Sequence, residues 1–163
     1  MAKPGRRPSR TVRQRLFIRA PPEKVFRALS EPDRLVKWFL KDAEISLRKQ
    51  GKYAFTWEDG YHHEGRVTEV IRGESISFSW EYEGPDHEVA KTKVRFTVAP
   101  KNKGAIVSVV NSGFPKHEKW VDTLVGSASV WTFYLLNLKS VLETGHDLRS
   151  KHQGRYFVVS PRE

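Results

Sequence analysis

His62-His63-Glu64 is the one compact set of side chains in this 163-residue chain that could hold a metal ion or move a proton. On a strand, successive side chains alternate, so His62 and Glu64 would share one face and His63 would take the other. Two ligands on a face fall short of the three or four that zinc takes, and no metal site or cofactor is expected. A lone inward imidazole could still serve as a polar group at a cavity mouth or as a general base. His87, His117, His146 and His152 are scattered. Glu64, Glu69 and Glu81 are strand carboxylates expected to pair with Arg66, Lys93 or Arg95 on a solvated face. Ser127 and Ser129 fall in a helical pattern with no obvious base. There is no cysteine, G-x-S-x-G, P-loop or G-x-G-x-x-G, so the reading leans away from an enzyme.

Aromatic side chains offer more. They make up 12% of the chain. Trp38, Phe39, Tyr53, Phe55, Trp57, Phe78, Trp80, Tyr82, Trp120, Trp131 and Tyr134 are candidates for the interior. All but Tyr82, together with His63, form the candidate ligand-binding set. Such a lining would take a flat or apolar molecule, with Tyr and Trp supplying a few orienting hydrogen bonds. The same rings could simply fill a core, and both readings stay open at this level.

The elements that must position these rings are legible. Val12, Gln14, Leu16 and Ile18 alternate with Arg13, Arg15, Phe17 and Arg19, the period of a strand. Pro21-Pro22 stops it and opens a short helix with Val25, Phe26 and Leu29 inward. Ser30 is expected to cap a second short helix, with Pro32 and Asp33 in its first turn and Leu35, Trp38 and Phe39 on its apolar side. Strands follow at Ala43–Leu47, Gly51–Trp57, Tyr61–Ile71, Ser75–Tyr82, Thr92–Ala99 and Ala105–Asn111. Glu58-Asp59-Gly60, Arg72-Gly73-Glu74 and Lys101-Asn102-Lys103-Gly104 are turn signals, so the strands should form an antiparallel meander. A long helix runs from Lys116 or Glu118 to Glu143, with Gly145 at its end. Its stripe is Val121, Leu124, Ala128, Trp131, Leu135, Leu138 and Leu142, widened by Trp120, Ser127, Tyr134 and Val141. Phe133 and Leu136 lie on the far side, to be covered by the short helices, a partner subunit or the C-terminal tail. The fold class is α+β: a helix-grip fold, a curved antiparallel sheet of about six or seven strands around a long C-terminal helix, with two short helices after the first strand.

Charge divides the chain. Its net charge is +10, yet residues 1–19 carry seven basic residues and no acid, while residues 20–143 are nearly balanced. Residues 1–9 read as a flexible basic arm that binds polyanions only weakly, residues 10–149 as the helix-grip domain, and residues 150–163 as a C-terminal extension. Tyr156–Val159 in that extension is apolar enough to dock on the last helix, a sheet edge or a second subunit. The N-terminus has no apolar stretch behind its basic residues, and Val130–Leu136 is too short to span a bilayer, so no membrane insertion is expected. The lack of cysteine fits a reducing compartment, and a cytoplasmic location is expected.

Three blocks, IRAPPEKVFRALSEPDRLVKWF, GKYAFTWEDGYHHEGRVTEVIRGESISFSWEY and WTFYLLNLKSVLETG, resemble the activator of heat-shock-protein-90 ATPase homologue family, part of the SRPBCC (START-like) superfamily. The resemblance covers Thr11 to Arg149. It departs from the family at Val130-Trp131, where Gly-Trp is common, and in the tail after the helix. It implies the helix-grip fold and a cavity between the long helix and the sheet, with Trp38, Trp80 and Trp131 around it. Roles in the family range over small-ligand binding, polyketide cyclisation and co-chaperone activity. The leading expectation is non-catalytic binding of a small apolar or aromatic ligand. A co-chaperone-type interaction domain that meets a chaperone is the alternative, and a cyclase- or hydrolase-like enzyme using the same cavity is the second. A homodimer is an open expectation, and specific nucleic-acid recognition is not expected.

Overall fold

In the structure, a computed structural model that describes residues 8–149, seven antiparallel strands form one sheet in the order β1-β7-β6-β5-β4-β3-β2. The strands are β1 (Ser9–Ile18), β2 (Asp42–Ile45), β3 (Lys52–Thr56), β4 (His62–Ile71), β5 (Ser75–Glu83), β6 (Val89–Lys101) and β7 (Gly104–Pro115). From β2 to β7 each strand pairs with the next, as the hairpin turns predict. β1 closes the order by pairing along β7, from Ser9 opposite Pro115 to Ile18 opposite Ala105. Irregularities between Arg10 and Thr11 and between Val67 and Glu69 bend the ribbon. β1 begins one residue inside the expected arm.

The helices are α1 (Pro22–Ser30), α2 (Pro32–Leu35) and α3 (Val121–Thr144). Pro22 and Pro32 each open a helix, where a missing N–H has no intrahelical partner to lose. Ser30 does not cap α2 as expected. It is the last residue of α1, and its hydroxyl donates to the Phe26 carbonyl at 2.8 Å. Glu31 takes the capping position, and its carboxylate accepts from Arg27 Nε at 2.8 Å and Arg34 Nε at 2.7 Å, tying the two helices together. Those bonds hold the Glu31 carboxyl below its ordinary pKa, the Arg27 bond most of all.

A single turn of tighter helix, Glu118–Trp120, precedes α3, and Gly145, at φ 75°, ends it. α3 lies across the inner face and is pinned to β1. Gln14 Nε2 donates to the Ala128 carbonyl at 2.8 Å and to Thr132 Oγ1 at 2.6 Å. At the other end, Lys139 Nζ donates to the Phe17 carbonyl at 2.7 Å, and the Arg19 N–H donates to Glu143 at 2.8 Å. The core between sheet and helices is built from Ile18, Val25, Leu29, Val67, Ile76, Val94, Val107, Val109 and Leu138, all buried, with the aromatic residues among them. No helix of the described residues is long and apolar enough to cross a membrane. The Tyr156–Val159 docking segment lies outside the described residues.

Candidate functional site

The inner face of β3, β4 and β5 is a floor of rings. Tyr53 and Phe55 project from β3, with Trp57 just after it; His63 projects from β4, and Phe78 and Trp80 from β5. Alternation puts all of them on one side, as β3–β4 and β4–β5 register requires. α3 lays Trp131 and Tyr134 over this floor. The segment after α2 adds Trp38 and Phe39.

The rings form one contact network. Phe39 meets five of the others, with centroids 4.9 Å from Trp38, 4.8 Å from Tyr134, 5.4 Å from Trp57, 5.9 Å from Trp131 and 6.1 Å from Phe55. Trp80 meets Trp131 edge-on at 5.6 Å, and Tyr53 meets Phe55 at 4.7 Å and Phe78 at 5.0 Å. Tyr53 reaches this position because β4 carries Gly65 beneath it. A Cβ there would fall 2.6 Å from Ser79 Oγ and 2.9 Å from the Tyr53 ring. Tyr53 then donates its hydroxyl to the Ser79 carbonyl at 2.5 Å. Trp57 and Tyr134 are half-buried and Tyr61 is exposed, so the cluster meets solvent at that end.

His63 is the odd member. It stacks on Trp80 at 4.4 Å and is only 8% exposed, and its Nε2 is buried with no hydrogen-bond partner. An unpartnered buried polar atom costs about 1–3 kcal/mol; Gln14 Oε1 and Thr68 Oγ1 share this state, but only His63 lies within the ring cluster. Burial pushes the His63 pKa below its ordinary value, against the opposing pull of Glu81, and keeps the ring neutral at pH 7. His62 faces out, 3.3 Å from Glu64. The alternation predicted for this triplet is thus present, and Glu64 takes His62 rather than an arginine. Among the described residues no group of three or more His, Asp or Glu is placed to hold a metal ion.

A second polar centre sits at the opposite end of Trp131. Asn111, at 0% exposure, accepts at Oδ1 from the Tyr82 hydroxyl (2.7 Å), the Ser127 hydroxyl (3.1 Å) and Trp131 Nε1 (3.3 Å). Its Nδ2 donates to Thr92 Oγ1 at 2.8 Å and to the Lys93 carbonyl at 3.1 Å. This cluster is internally satisfied and orients the Trp131 indole. It also occupies the Ser127 hydroxyl, which has no imidazole to activate it. Burial pushes Tyr82 and Tyr134 each up to about 12 and raises Tyr53 further, so these phenols act as neutral hydrogen-bonding groups. The site can therefore stack a ring and offer it few polar contacts; it presents no paired nucleophile and base.

Of the twelve candidate interior residues, counting His63, the network joins Trp38, Phe39, Tyr53, Phe55, Trp57, His63, Phe78, Trp80, Trp131 and Tyr134. Trp120 stands apart, packed on Gly84, where a Cβ would lie 2.5 Å from the indole. Tyr82 meets Phe114 at 5.1 Å and belongs to the Asn111 cluster. Phe96, which meets Trp131 at 5.6 Å, belongs to the floor as well, although it is not among the candidate residues. Asn111 was missed as well. Its signal is a polar residue at an inward position of the run Val107, Val109, Asn111.

The segment carrying Trp38 and Phe39 is held from behind by residues 145–149. Arg149 donates to the Val36 carbonyl at 2.9 Å and the Leu40 carbonyl at 3.1 Å while its guanidinium meets Asp147. Buried Asn137 on α3 donates to the Trp38 carbonyl at 2.7 Å and accepts from the Leu148 N–H at 2.7 Å. Trp38 Nε1 donates to the Ala28 carbonyl at 2.8 Å. This strap was not foreseen from the sequence.

Solved structures share this architecture. A protein from Staphylococcus saprophyticus is 18% identical, with 86% of this chain and 97% of that one covered, at a TM-score of 0.73. The Aha1 dimer from Colwellia psychrerythraea, known from its solution structure, is 24% identical, with 83% and 97% covered and a TM-score of 0.69. DynU16, from the dynemicin biosynthetic locus, is 21% identical; 86% of this chain covers 50% of that one, at a TM-score of 0.72. At these identities the likeness is one of fold. No curated protein matches the chain significantly. Residues 19–143 match the model for activator of Hsp90 ATPase homolog 1-like protein, and with the helix-grip sheet, the long C-terminal helix and most of the chain inside that match, this protein belongs to that family.

Proposed function

We propose that the protein binds a small, flat aromatic or apolar ligand without transforming it, between α3 and the ring floor. The observation that carries this reading is His63 Nε2: a buried, unpartnered polar atom within a cluster of rings. A ligand entering at the Trp57, Tyr61 and Tyr134 end would stack on Trp80 or Trp131 and give this nitrogen its hydrogen bond. Native mass spectrometry of the protein as purified, followed by titration of the recovered compound or of a fluorescent naphthol probe, tests it. Binding should quench tryptophan emission, and His63→Phe should weaken a hydroxylated probe about tenfold while leaving its deoxy analogue nearly unchanged, as loss of one hydrogen bond of about 1.4 kcal/mol requires. Equal losses for both probes, or no binding of either, would remove this reading.

The Colwellia relative is a dimer, and on α3 of this chain Val125 and Leu136 are 51% and 48% exposed, three turns apart on one side. We propose that a second copy covers this strip. Sedimentation at micromolar concentration should show a dimer that Leu136→Lys dissociates; a monomer throughout would exclude it.

A further inference from the structure

The outer face of the sheet, opposite the rings, is basic over β1, β7 and β6; Glu81, opposite Lys91, and Glu69, in the row of Arg95, bound this region on β5 and β4. Alternation turns Thr11, Arg13 and Arg15 of β1, Ser108, Val110 and Ser112 of β7, and Lys91, Lys93 and Arg95 of β6 to this side. Register sets them in rows: Thr11, Ser112 and Lys93 in one, Arg13, Val110 and Arg95 in the next. Lys93 and Arg95 are therefore about 7 Å apart along their strand, and Arg13 lies about 10 Å from Arg95 across two strands. These separations are near the Debye length at physiological salt, so the charges act together. Two adjoining depressions of about 550 and 700 Å³ open here. Their walls include Ser9, Thr11, Arg13, Lys93, Arg95, Ser112 and Lys116, and no acidic or aromatic side chain. Among the described residues none of Arg13, Lys93, Arg95 or Lys116 lies within 4 Å of a carboxylate.

A β-sheet needs no such accumulation of like charge, and neighbouring cations on one face repel. We propose that this face binds the phosphate backbone of a nucleic-acid duplex without reading its sequence. Arginine and lysine interspersed with serine and threonine hydroxyls are the groups that contact phosphate oxygens. The walls hold no ring on which an unpaired base would stack, which favours a duplex over a single strand. They hold no large apolar side chain to enter a bilayer, which disfavours a membrane. The basic arm joins the sheet here, since Pro8 and Ser9 line both depressions.

Fluorescence anisotropy with a short labelled DNA duplex tests this on the full chain. Affinity should fall steeply between about 50 and 200 mM salt and be the same for unrelated sequences. The triple variant Arg13→Gln, Lys93→Gln, Arg95→Gln should flatten the slope of log K against log salt by about 3, at about 0.9 per phosphate contact. Its melting temperature should not change, and Arg13→Lys with Arg95→Lys should keep the slope. Removing residues 1–7 should weaken binding and leave the effect of the triple variant intact. The proposal fails if the duplex does not bind at low salt, if the triple variant binds as the parent does, if the lysine variant loses the slope, or if polyglutamate displaces the duplex at equal charge.

Discussion

Phe39→Ala is expected to destabilise the protein by about 3–5 kcal/mol, the usual cost of deleting a buried phenyl ring. For a chain of this size that is a fall in melting temperature of about 10 °C or more. Phe39 is the ring through which the segment after α2, the sheet floor and α3 all touch. The surrounding side chains come from three separate elements and cannot collapse together, so the space is retained rather than closed. The same variant should therefore bind an apolar dye more tightly while being less stable. Phe39→Leu should lie between the two. Calorimetry and dye titration read both effects, and a melting temperature within a degree or two of the parent would mean that the rings are not packed as a unit.

Asn111→Leu is expected to cost at least about 3 kcal/mol although it replaces a polar core residue by an apolar one of similar size. The substitution deletes the five side-chain hydrogen bonds of Asn111, so the Tyr82, Ser127 and Trp131 donors lose their shared buried acceptor. Each orphaned group costs about 1–3 kcal/mol. Tyr82→Phe alone should cost about 1 kcal/mol in the parent and less in the Asn111→Leu background, where its hydroxyl keeps only Ser127 Oγ at 3.1 Å. Denaturant unfolding of the four proteins measures the coupling. Additive losses would show that the cluster is a set of separate contacts rather than a network.

The hairpin-linked strands β2 to β7, the long helix and the inward rings were readable because each follows from a local period or turn; the pairing of β1 with β7 joins distant segments and was not. Ile76, Phe78 and Trp80 alternate cleanly, and α3 repeats at three and four. What was not readable depends on pairs distant in sequence. Arg149 looks like one basic residue near a tail, and nothing local says that it reaches the carbonyls of Val36 and Leu40. Trp120 and Trp131 both belong to the helical pattern, but Trp120 lies about three turns before Trp131 and packs on Gly84 after β5 instead of joining the ring cluster. Ser30 is a good capping residue by type, but the first helix runs on through it and the cap falls to Glu31. For His63 the face was predictable from alternation. Its unpartnered nitrogen was not, since that depends on what lies opposite.

The strap of residues 145–149 bears on how fast anything could enter the interior. While Arg149 and Asn137 hold the backbone around Trp38, the indole and Phe39 stay inserted among the other rings. A guest entering at the Trp57 and Tyr134 end, whose rings both touch Phe39, would then wait for that segment to swing out. Association would be slower than diffusion and would saturate at the rate of opening, and the observed affinity would be the intrinsic one multiplied by the small fraction of molecules already open. The end of the long helix would thereby set the residence time of a guest it never touches.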